Sequence, residues 1–170
     1  MPITMSSASL PIVRTMLANL THILDKGLAH AQARKFDPQV LVADRLAPDM
    51  LPLSRQVQIA CDVSKFGIAR LSGIEAPKFE DTETSFEQLK ERIARTVAWL
   101  DTVPAQALDG TEDKEITFPV GREAMRTMRG EAYLKHWVLP NLFFHVTTAY
   151  NILRHNGVEL GKADYLMGAQ

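Results

Sequence analysis

The sequence is poor in the residue types that announce a site. Its 170 residues include one cysteine, Cys61, which excludes an internal disulfide and argues against a cysteine-built zinc site. Positive charge is not in surplus either: 19 Lys and Arg face 20 Asp and Glu, a net charge of −1. Without excess cations to displace counterions from phosphates, nucleic acid is not expected as the main partner. No run approaches the roughly 20 apolar residues a membrane helix needs. The N-terminal stretch lacks the basic-then-apolar order of a secretory leader. A cytoplasmic setting with no membrane partner is therefore expected. There is also no Gly-rich phosphate loop, no His-Glu-x-x-His pattern and no Ser-His-Asp arrangement.

What is present is helical periodicity. With 46% apolar and 23% charged residues, the chain suits one domain, residues 1–170, around one core. Ile12, Met16, Leu17, Leu20, Ile23, Leu24 and Leu28 recur at three- and four-residue spacing, which predicts a helix over about 11–34. Gly27 weakens it without ending it. Residues 35–52 carry Pro38, Pro48 and Pro52 and read as an ordered connector with a short helix. A second long helix is predicted over 53–71, stopped at Ser72-Gly73. A third runs to Leu100, with Ser85 and Gln88 spaced as a capping box. Glu115–Pro119 alternates polar and apolar residues and can pair with Ala124–Met128 as a short β-hairpin. The last helix spans about 130–156. Arg154 and His155 lie in its final turn, Gly157 is a left-handed cap and Val158 its apolar contact. Four long helices around one core make an all-α, four-helix bundle the economical reading.

The last helix holds the candidate chemistry. Asn141 and His145 lie one turn apart on a face shared with Leu134, Trp137, Val138 and Ile152, so both are expected to point inward. A buried imidazole stays neutral unless a carboxylate stands beside it. Asp62, on the second long helix with Gln58, is the partner expected for it. The structural alternative is a core histidine tied to an amide, carboxylate or carbonyl of another helix. Pro140 inside this helix should bend it or restart it near Asn141, and Asn141 could satisfy backbone groups freed there. His22 and Asp25, three apart, read as an edge contact more readily than as metal ligands. Cys61 sits on an apolar stripe, as an inert core thiol does.

Residues Leu139–Val158, with His145, Arg154 and Gly157 in place, resemble the final helix of the DinB/YfiT-like bundles. The Gln56–Asp62 segment and the ending Gly157–Leu166 are similar to the domain-of-unknown-function family nineteen ninety-three within that superfamily. The resemblance implies a metal site of three histidines, two of them in a His-x-x-x-His pair. Here the pair is broken, because Asn141 stands where relatives have histidine. No histidine occurs between Ala31 and Lys135 to supply the third. A residual site would consist of His145, Asp62 and Asn141, with Gln58, Trp137 and Thr148 as pocket residues, holding a divalent metal weakly or none. Two functions stay open. One is a homodimer with a degenerate metal site and an interaction or structural role, its dimer face built from an aromatic-rich last helix. The other is a metal-dependent small-molecule enzyme of the thiol transferase or isomerase type, using His145 with Asp62 and Asn141.

Overall fold

The computed structural model describes residues 3–121 and 123–168, so the ends of the expected 1–170 domain lie outside the described residues. Helix α1 (Leu10–Arg34) is followed by a short α2 (Gln39–Ala43), then α3 (Leu53–Ser72) and α4 (Phe86–Leu100). Strands β1 (Glu115–Val120) and β2 (Ala124–Arg129) come next. The chain closes with α5 (Gly130–Tyr133), a π-helical turn over Leu134–Val138, α6 (Leu139–His155) and α7 (Lys162–Met167). Helix α3 packs on α4 and α6, and α1 packs on the other side of both, so the long helices close a ring. None of the described helices is long and apolar enough to cross a membrane.

Local chemistry sets the boundaries. The Ser85 hydroxyl accepts from the Gln88 amide at 3.3 Å, and the Gln88 side chain accepts from Ser85 N–H at 3.2 Å. Two donors that would otherwise be orphaned at the start of α4 are thereby satisfied. Helix α6 ends at Gly157, with φ 86°. Gly157 N–H reaches the Arg154 carbonyl at 3.1 Å and Val158 N–H the Leu153 carbonyl at 3.1 Å. Val158 is buried behind this turn, as the cap pattern requires.

The β-strands pair antiparallel, Glu115 opposite Arg129 and Val120 opposite Ala124. One face of β1 is core: Ile116 and Phe118 are buried, and the Phe118 ring lies 4.6 Å from that of Tyr133 and 5.0 Å from that of Trp137. The hairpin thus lies over the irregular start of the last helix. The irregularity has a local cause. Pro140 cannot donate to the preceding turn, and the backbone widens into a π turn just before it. The break falls earlier than the restart expected at Asn141.

Candidate functional site

His145 is buried, with 9% of its surface exposed. Its Nδ1 meets Gln56 Oε1 at 2.7 Å. Gln56 is itself oriented, because its Nε2 donates to the Leu51 carbonyl at 2.9 Å. Its oxygen must therefore face the imidazole, which fixes the proton on Nδ1. Burial pushes the His145 pKa down to about 4, so the ring is neutral at pH 7.

The partner expected for this ring, Asp62, is engaged elsewhere. Its Oδ1 accepts from Lys65 at 2.8 Å and from Arg92 at 3.0 Å. Helical geometry explains the correction. Asp62 follows Gln56 by six residues, about 600° of rotation and so some 240° around the helix. Gln56, Ala60, Ser64, Gly67 and Leu71 are buried on α3, Gln56 meeting His145 of α6 and Gly67 meeting Val138 of the π turn, while Asp62 and Lys65 turn toward α4 and the chain before it. Gln58 also turns away, donating to Glu83 at 2.8 Å and accepting from Arg55 at 2.7 Å. The Thr148 hydroxyl bonds the Phe144 carbonyl of its own helix at 2.7 Å.

A charged network lies where Asp62 points. Arg92, 1% exposed, reaches Glu83 at 2.9 Å, Asp81 at 3.0 Å and Asp62. Arg55 pairs with Asp81. The ammonium of fully buried Lys65 lies 4.1 Å from the Phe79 ring centre and 4.5 Å from that of Phe66. Burial opposes the charges of Arg92 and Glu83, but their mutual hydrogen bonds outweigh it: the guanidinium is raised above its ordinary value and Glu83 held below its own. Two other candidates resolve as structure. Asp164 gathers His22 at 2.8 Å and Lys26 at 2.9 Å and docks α7 on α1, whereas Asp25 pairs with Lys90 at 2.7 Å. Cys61 is fully buried, and burial pushes its thiol up to about 12.

Part of the expected pocket is assembled. A cleft of about 170 Å³ lies between α3, β1 and the π turn, lined by Asp62, Phe66, Arg70, Tyr133, Trp137 and Asn141 among others. His145 and Gln58 are not among its lining residues. The Asn141 side chain makes no hydrogen bond among the described residues, so it does not repair backbone groups freed by Pro140. Arg70 Nη1 donates to the Tyr133 hydroxyl at 3.0 Å. Arg70 and Tyr133 escaped sequence reasoning, since their proximity depends on how the hairpin and the π turn pack against α3. Gln56 was legible only as one of several polar residues on its helix.

The residues present do not fit the three-ligand metal centre of histidine-bearing relatives. Asn141 offers an amide oxygen, a weaker ligand than imidazole for zinc or nickel, and Asp62 is held by two cations. No group of three His, Cys, Asp or Glu able to hold a metal occurs among the described residues.

Sequence and structure comparisons agree on ancestry. No curated protein matches the chain. The crystal structure of a DinB family member protein from Shewanella denitrificans is 42% identical, with a TM-score of 0.87, covering 97% of this chain and 92% of that one. Residues 5–166 match the family described as Domain of unknown function (DUF1993). On that match and that likeness, the chain belongs to the DUF1993 family and is similar in fold to a DinB family member.

Proposed function

We propose that this protein is a cytoplasmic four-helix bundle of DinB/YfiT-like type that acts as a homodimer in an interaction or structural role, with its metal site degenerate. The observation that carries this is the bond between neutral His145 and Gln56, which uses the last helix's imidazole to join α6 to α3. An apolar groove of about 500 Å³ supports the dimer: Pro11, Ile12, Met16, Phe143, Tyr165 and Leu166 line it, and Leu166 is 55% exposed. Exposed apolar surface of this kind favours a protein partner. The metal-dependent transferase or isomerase reading has one point in its favour, that Asp62 and Asn141 line a common cleft.

Metal analysis of protein purified without a histidine tag separates the two. We expect no stoichiometric metal. His145→Ala should lower the melting temperature by about 4–8 °C, from a lost hydrogen bond and a small cavity worth about 2 kcal/mol. Stoichiometric metal that disappears in both His145→Ala and Asp62→Ala would instead favour the enzyme reading. Light scattering at micromolar protein should give a dimer, and Leu166→Glu a folded monomer; a wild-type monomer removes the homodimer.

A further inference from the structure

The cleft between α3, β1 and the π turn holds hydrogen-bonding capacity that the fold does not use. Arg70 has no carboxylate within ion-pair distance among the described residues, and its one side-chain hydrogen bond goes to the Tyr133 hydroxyl. The guanidinium carbon lies 5.7 Å from the Phe66 ring centre, so a ring and a phenol hold the fork in place while most of its donors stay free. Burial pushes the Tyr133 pKa up, against the opposing pull of Arg70. The phenol thus keeps its proton and can donate it. Trp137 and Asn141 both line the cleft, and neither the indole N–H nor the side-chain amide makes a hydrogen bond among the described residues.

The other end has the opposite character. Asp62 Oδ1 is claimed by Lys65 and Arg92, but Oδ2 accepts no bond among the described residues. Asp62 and Arg70 are eight residues apart on α3, about 12 Å along the axis. Helical side chains lean toward the N-terminus, and the guanidinium over Phe66 does so, which closes part of that distance. A volume near 170 Å³ is space for five or six waters' worth of ligand, at about 30 Å³ each.

We infer that this cleft is a binding site for a small organic carboxylate bearing an amine or hydroxyl donor at its far end. Arg70 and Tyr133 take the carboxylate, Asn141 and the Trp137 N–H add neutral hydrogen bonds, and Asp62 accepts from the donor. Arginine suits the first role because its planar fork matches a carboxylate. The apolar walls, Phe66 and the Trp137 ring, exclude water from the short chain between the two ends.

Tryptophan fluorescence of the full chain provides the test, with 4-aminobutanoate, 4-hydroxybutanoate, butanoate and butylamine as probes. The first two should give saturable changes in the millimolar range, several-fold tighter than butanoate, and butylamine should bind least. Trp137→Phe should abolish the fluorescence signal while calorimetry still detects the heat of binding, which locates the ligand. Arg70→Gln should weaken binding at least about tenfold. Arg70→Lys, which keeps the charge and loses the fork, should fall between, and it serves if the glutamine variant does not fold. Circular dichroism checks each variant. The inference is overturned by no saturable response to any probe at tens of millimolar, or by equal affinity in wild type and both Arg70 variants. Butanoate binding as tightly as its donor-bearing analogues, or butylamine binding best, overturns the ligand class.

Discussion

The imidazole of His145 shows how burial sets a pH window. Its pKa is about 4 in the fold and returns to an ordinary value near 6.5 when the chain unfolds. Between these values the unfolded chain binds a proton that the native chain refuses. Stability is therefore complete above about pH 6.5 and falls as the pH drops toward 4. The ring is not wholly sealed from solvent, so the loss expected is about 2 kcal/mol, less than the roughly 3.4 kcal/mol that a window of about 2.5 pH units would give at about 1.36 kcal/mol each. Urea midpoints measured from pH 7 to 4.5 should decline accordingly, and His145→Gln should flatten that decline. An unchanged slope in the variant would mean another group titrates. The carboxylates held below their usual range act lower on the scale. Asp164 is depressed chiefly by the Gly161 backbone N–H, then by His22 and Lys26. Glu83 is held down by Arg92 and Gln58 against its own burial. Both contribute above their unfolded values, near 4, and their share is lost only below that.

Among the elements, α3 and the π turn pack without room for a side chain at Gly67. A Cβ on Gly67 would lie 2.7 and 2.9 Å from the two Val138 methyls, and Val138 sits at the end of the π turn. A methyl there must push apart two elements that are already closely packed. Gly67→Ala should cost about 1–3 kcal/mol by thermal unfolding, even though alanine is the better helix former. Adding Val138→Ala should recover much of the loss. A gain in stability from Gly67→Ala alone would show that the helices separate easily. The sequence predicted the starts of α1, α3 and α4 to within a residue or two, because capping residues and apolar stripes are local signals; the last helix, expected as one element over about 130–156, is instead α5, a π turn and α6. The register across this contact was not legible, because it depends on which small residues of α3 meet the π turn.

For the molecule as a whole, the buried guanidinium of Arg92 joins α4 to Asp62 of α3 and to Asp81 and Glu83 of the intervening connector. Removing it leaves Glu83 without its cation and takes one of two cations from each of Asp62 and Asp81. Arg92→Met should therefore destabilise by about 3 kcal/mol in chemical denaturation, as expected when one partner of a buried pair is lost. A loss below about 1 kcal/mol would mark the network as solvent-screened. Nothing along α4 announced this role, since Arg92 looks like any basic residue of an amphipathic helix until the connector folds back over it.

Sequence alone determined the long helices in outline, the caps of α4 and of the last helix, the hairpin and the inward face of His145. All of these follow from spacing within one segment or from which residue types are present. Tertiary structure decided the pairings. It gave His145 to Gln56 and Asp62 to Lys65 and Arg92, and it brought Arg70 and Tyr133, 63 residues apart, to within 3.0 Å of each other. The physical reason is that a helix angle specifies a direction, whereas the partner met in that direction depends on the packing of every other element.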